Sequence, residues 1–98
     1  MNEPIPELSE ELKASLLNVV IADFSYYVSV CMDECFTEFF RVSDLTEATF
    51  FTDVMISLQV ALGVYWWAAC EFIAEQTSTI QKAVFAHPWT SLNAKIPN

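Results

Sequence analysis

The stretch Val54–Ala74, VMISLQVALGVYWWAACEFIA, decides the fold because it is the longest apolar run in the chain. It holds two adjacent tryptophans, the only glycine, Gly63, and just two strongly polar residues, Gln59 and Glu71. An apolar run of this length needs cover from the rest of the chain or from another molecule. We therefore interpret the remaining sequence as a second helix that covers this run, a turn that orients the two helices, and polar ends.

The composition predicts one small domain with more apolar surface than it can bury alone. The 98 residues are 54% hydrophobic and 17% charged, whereas soluble domains typically have about 25% charged residues. A small domain has a high surface-to-volume ratio, so it needs more polar cover rather than less. The apolar surplus predicts contact with a second copy, with another protein or with lipid.

The charge balance argues against direct nucleic-acid binding. Thirteen acidic and four basic residues give a net charge of −9, and contacts to phosphate need lysine and arginine. The same balance disfavours docking on an anionic membrane surface. An acidic DNA-mimic inhibitor is a further alternative, although the carboxylates are thinly spread beyond the start of the chain.

The cysteines and the first residues predict a cytoplasmic protein. Cys31, Cys35 and Cys70 form an odd set, which is typical of free thiols in a reducing compartment. The opening sequence MNEPIPELSEEL has neither the basic nor the apolar segment of a secretion signal. A zinc site needs four ligands. Because the only other ligand of this type is His87, we expect no metal.

The first half of the chain predicts an extended lead-in over residues 1–8 and a helix over residues 9–41. Ser9 is placed to cap the helix, and acidic residues follow it in the first turn, where the helix dipole favours negative charge. Polar residues then recur at steps of three or four up to Arg41. The polar stripe is narrow, which indicates a helix covered on more than one side.

The second half predicts a turn over residues 42–46, a helix over residues 47–86 and a tail over residues 87–98. The helix ends before Pro88, because proline disfavours helical conformation in the preceding residue. Gly63 either kinks this helix or lets another helix approach closely.

The predicted fold class is therefore all-α. Two long antiparallel helices, either continuous or broken into three or four, form a helical bundle that is completed by oligomerisation.

Antiparallel pairing about the turn predicts one cluster of aromatic residues around a carboxylate. It sets Asp23 opposite the tryptophan pair and the two tyrosines opposite Gly63. The candidate interface or pocket consists of Asp23, Tyr26, Tyr27, Gly63, Trp66 and Trp67. Such a cluster fits two interpretations: a carboxylate at the edge of the polar stripe, or a ligand pocket or interaction hot spot rich in Trp and Tyr.

No catalytic or cofactor-binding set is expected. Nucleophilic catalysis needs a base beside the nucleophile, and the chain has one histidine and no glycine-rich turn. The sequence instead predicts a non-catalytic acidic protein acting through protein–protein interaction, as an adaptor, inhibitor or regulatory subunit. Its expected partners are further copies of itself and another protein.

A membrane-embedded accessory subunit is the main alternative. Ala14–Met32 and Val54–Ala74 each have about the 20 residues needed to span a bilayer. Each segment also carries an acid, Asp23 or Glu71, that is costly in lipid. The four basic residues are too few to set an orientation.

Overall fold

The structure, a computed structural model, describes residues 7–88, with the side chains of residues 31–36 left out of that description. The described part of the chain is helical and contains no strand, which confirms the predicted all-α class. Four helices pack into a compact globule. They are α1 (Glu10–Arg41), α2 (Phe51–Leu62), α3 (Trp66–Glu75) and α4 (Thr77–Ala86), with one-turn 3₁₀ segments at Leu45–Glu47 and Gly63–Tyr65.

The start of α1 follows the predicted capping chemistry. The Ser9 hydroxyl accepts a hydrogen bond from the backbone N–H of Leu12 at 3.1 Å. Glu10 and Glu11 lie in the first turn and Arg41 lies in the last turn. Both placements are favourable in the field of the helix dipole.

The path of α1 reverses between Phe24 and Phe39. Fifteen residues of straight helix would advance about 22 Å, but the two ring centroids are only 5.2 Å apart. The C-terminal end of α1 therefore folds back onto the middle of the same helix, which is continuous from Glu10 to Arg41. This reversal explains why the sequence pattern leaves only a narrow polar stripe.

A second reversal separates α2 from α3 at Gly63. The backbone N–H of Leu45, before α2, donates to the hydroxyl of Thr77, after α3, at 3.1 Å. A straight helix over the 25 residues between Phe51 and Glu75 would be about 37 Å long, so this contact requires the chain to turn back. Gly63 adopts a φ of 52° at the break, a region that glycine enters without steric cost. We call the resulting pair of helices the α2–α3 hairpin.

Side chains at the start of α4 tie this hairpin to the end of α1. Thr77 also donates its hydroxyl to the carbonyl of Ala74 at 2.7 Å. The Gln81 amide donates to the carbonyls of Phe39 at 2.9 Å and Val42 at 2.8 Å. Carbonyls at the end of a helix lack an intrahelical partner, so Gln81 caps α1 from a neighbouring helix.

The centre of the core is a cluster of phenylalanines. The rings of Phe24, Phe39 and Phe50 lie 5.2–5.7 Å apart, and all three side chains are buried. Tyr27 stacks on Phe50 with a centroid distance of 4.6 Å. The core is thus built on aromatic residues of α1 and of the turn before α2. The sequence predicted the main aromatic cluster at the tryptophan pair.

The element boundaries differ from the expected ones in the second half of the chain. The predicted turn at residues 42–46 is longer, because α2 begins only at Phe51. The predicted helix over residues 47–86 is divided at Gly63 and again at Gln76. Most of the lead-in over residues 1–8 and of the tail over residues 87–98 lies outside the described residues.

Candidate functional site

Three of the predicted site residues come together in an open groove between α1 and α2. The groove has a volume of about 230 Å³. It is lined on the α1 side by Asp23, Tyr26 and Tyr27, and on the α2 side by Asp53, Val54 and Ser57. The phenol of Tyr27 donates a long hydrogen bond of 3.5 Å to Asp53. We call this feature the α1–α2 groove.

The predicted register of the groove is wrong. Asp23 shares the groove with Asp53 and Ser57, and neither Gly63 nor the tryptophan pair lines it. The prediction assumed one reversal between two straight helices. Because α1 and the second half each fold back on themselves, α2 rather than α3 reaches Asp23. Asp53 and Ser57 were not singled out, although their spacing on the polar line of α2 would have placed them on one helix face.

Burial raises the pKa of the Asp23 carboxyl above its ordinary value of 3.8. A carboxyl group is harder to ionise when burial removes part of the hydration of its charged form and no opposite charge lies nearby. None of the residues lining the groove is basic. The groove thus places two acidic side chains beside two phenol rings, which is an arrangement suited to a cation.

We expect Asp23→Asn to stabilise the fold at pH 7. A raised pKa in the folded state means that the stabilising contribution of Asp23 is fully present below its unfolded pKa of 3.8. This contribution is lost as pH rises through the folded pKa. The variant should melt above the wild type at pH 7, and the difference should vanish near about pH 3. Thermal melts followed by circular dichroism measure this, with Glu71→Gln, an exposed acid in the middle of α3, as the control. A lower melting temperature at pH 7 would contradict it.

The remaining predicted residues lie at the turn of the α2–α3 hairpin. Trp66 is partly buried and packs against the core, whereas Trp67 is 71% exposed. Val60 and Val64, on either side of Gly63, are 95% and 72% exposed. We call Val60, Val64 and Trp67 the hairpin tip. Adjacent residues on a helix point about 100° apart, which explains the different environments of the two tryptophans.

A larger groove of about 480 Å³ lies between the start of α1 and α3. Its one base, Lys13, already has partners: its Nζ lies 3.5 Å from a Glu10 carboxylate oxygen and 5.8 Å from the Phe72 ring centroid. Glu71 and Glu75 border the same groove. This groove gathers none of the predicted site residues, so we give priority to the α1–α2 groove and the hairpin tip.

The described residues do not provide a metal site. No group of three or more His, Cys, Asp and Glu side chains within that part of the chain is placed to hold an ion. Burial raises the pKa of the Cys70 thiol above its ordinary value of 9.0, which makes it a less reactive nucleophile. The side chains of Cys31 and Cys35 lie outside the described residues.

Comparison of the chain with protein-family models, with curated proteins and with solved structures finds no match.

Proposed function

We propose that this chain is a non-catalytic, cytoplasmic protein-interaction module that forms a homo-oligomer through its hairpin tip. The observation that supports this most is the exposure of Val60, Val64 and Trp67, which lie within eight residues of one another at the turn of the hairpin. Large exposed apolar groups that cluster in this way mark interaction sites. Tryptophan is also among the residues that most often dominate the energy of an interface.

Burial of the hairpin tip would contribute favourably to association. Burying an aromatic side chain of this size contributes about 2–3 kcal/mol, and a two-fold interface uses each contact twice. A dimer would bring two sets of helices together into a larger bundle with Trp67 at its centre. The proposal includes a further protein partner, because a regulatory module needs a target as well as a second copy.

A membrane-embedded subunit is the second candidate, and one observation favours it. The segment Phe51–Glu75 is long and apolar enough to cross a bilayer, with a mean hydropathy of 1.4 and 17% of its most apolar window buried. In this fold, however, the segment turns back at Gly63. The 12 residues of α2 and the 10 residues of α3 span about 18 Å and 15 Å, short of a hydrocarbon core of about 30 Å.

We expect Trp67→Ala to weaken self-association at least tenfold, and Trp66→Ala to weaken it much less. The Trp67 side chain is exposed in one protomer and is available to a second one, whereas Trp66 already packs against its own core. The loss of about 2 kcal/mol corresponds to more than a tenfold change in the dissociation constant. Native mass spectrometry over a concentration series, without detergent, measures the effect.

Circular-dichroism melts of both variants separate lost assembly from lost folding. Equal effects of the two substitutions, or a wild type that is monomeric at micromolar concentration, would refute self-association through the hairpin tip. A protein recovered only in detergent would support the membrane candidate instead.

A further inference from the structure

The α1–α2 groove carries an uncompensated negative charge. Asp23 and Asp53 face it from two helices, and no lysine or arginine is among the lining residues. The contact that Asp53 receives from Tyr27 is long, at 3.5 Å, and a carboxylate has about four acceptor positions. Both carboxylates therefore retain acceptor capacity toward a donor from outside the chain.

Exposed apolar side chains lie among the groove-lining residues or close to them in sequence. Tyr26, which lines it, is 60% exposed, and Ile56, adjacent to Ser57 on α2, is 53% exposed. Val30, one helical turn from Tyr26 on α1, is 57% exposed. A partner that covers these groups and also donates to the carboxylates would satisfy both the polar and the apolar parts of the surface.

We infer that the α1–α2 groove binds an amphipathic helix of a second, basic protein, with an arginine or lysine side chain inserted between Asp23 and Asp53. The apolar row of that helix covers Tyr26 and Ile56. The tyrosine rings beside the inserted cation add a favourable cation–π contact. This inference rests on the proposed role as an interaction module and names the partner class that one surface of it recognises.

A second copy of this chain fits the groove poorly. Each copy carries a net charge of −9, with only four basic residues. Of the lysines and arginines in the described part, Lys13 pairs with Glu10 and Arg41 donates to Glu38 at 2.7 Å, which leaves Lys82 as the exposed base without an ion pair in that part. Charge complementarity across an interface favours a partner of opposite sign and disfavours like charges. The groove thus differs from the hairpin tip, whose three exposed side chains are uncharged.

Two synthetic amphipathic helices test this inference. Both present the same leucine row, and one carries arginines beside it where the other carries citrulline, an uncharged isostere. We expect the wild type to bind the arginine peptide at least tenfold more tightly, measured by fluorescence anisotropy. Charge-assisted hydrogen bonds are strong enough to account for a tenfold difference. Ionic strength is held at roughly 0.15 M so that distant charges are screened.

Matched variants locate the effect. Asp23→Asn with Asp53→Asn should reduce the arginine preference to within about twofold, because neutral amides lose the charge assistance. Glu11→Gln with Glu75→Gln removes the same charge from exposed residues that do not line the groove, and should keep the preference. Equal effects of the two double variants, or equal binding of the two peptides by the wild type, would overturn the inference.

The outcome also separates this inference from the proposed function. If the two peptides bind equally and assembly still depends on Trp67, the proposed interaction module is retained and only the inference of a basic partner is rejected. A wild type that is monomeric and binds neither peptide would reject both the proposed function and this inference. Flotation of the chain with phosphatidylcholine vesicles, unchanged by Asp53→Asn, would assign the surface to lipid and overturn the inference.

Discussion

Phe24→Ala should destabilise the protein by about 3–5 kcal/mol, the range found when a buried phenylalanine is truncated to alanine. The Phe24 side chain has no exposed surface. Its ring centroid lies 5.2, 5.7 and 6.4 Å from those of Phe39, Phe50 and Phe51. It therefore joins the middle of α1 to the C-terminal end of the same helix and to the start of α2. Since small domains have a total stability of about 5–15 kcal/mol, the variant should be close to unfolding at room temperature.

Urea denaturation followed by circular dichroism measures this change, and Phe85→Ala is its control. Phe85 is also a helical phenylalanine with an aromatic neighbour, Phe40, at 5.7 Å, but it is 63% exposed. We expect the control to cost less than about 1 kcal/mol. Phe24→Leu should lie between the two, because leucine keeps most of the buried volume. Similar losses for Phe24→Ala and Phe85→Ala would show that the phenylalanine cluster is not the centre of the core.

The local features of the fold could be predicted from the sequence because each depends on a few neighbouring residues. Ser9 caps α1 as expected, since a serine before a helix can reach the free N–H groups of the first turn. α4 ends at Ala86, and His87 before Pro88 has an extended conformation with ψ of 139°. The steps of three and four in the polar residues predict helix, and the residues that the structure describes contain no strand.

The two chain reversals could not be predicted in the same way, because contacts between distant residues decide them. No glycine or proline lies between Glu10 and Arg41, so nothing local marks the reversal between Phe24 and Phe39. Gly63 does mark a break, but a single glycine permits a kink as readily as a reversal. The direction is set by distant contacts such as that between Leu45 and Thr77, and these become visible only in the folded chain.

For the same reason, the structure brings together only the α1 members of the candidate site in one groove. Asp23, Tyr26 and Tyr27 lie on adjacent turns of one helix, so periodicity alone brings them together. Their partners depend on the register between helices, and the unrecognised reversals shifted that register from the tryptophan pair to Asp53 and Ser57. The tryptophans instead occupy the hairpin turn, where one of them is left exposed.

The backbone of Gly63 holds the hairpin tip in its observed shape. Its φ of 52° and ψ of −120° correspond to the first central position of a type II′ turn, which glycine dominates. A Cβ built on Gly63 would meet no atom within 4 Å. Any cost of adding a side chain here therefore comes from the backbone conformation, and packing contributes nothing to it.

We accordingly expect Gly63→Ala to destabilise the protein by about 1–3 kcal/mol, the cost of holding a non-glycine residue in such a region. The variant should also weaken self-association, because relaxing the strain moves Val60 and Val64, on either side of Gly63, away from their present positions. Urea denaturation gives the first quantity and native mass spectrometry gives the second. A D-alanine at position 63, introduced by ligation at Cys70, is the matched control, since D-residues favour this backbone region. It adds the same methyl group and should retain both stability and assembly. Equal losses for the two alanine enantiomers would mean that the added methyl group, rather than the backbone angle of Gly63, disturbs the hairpin.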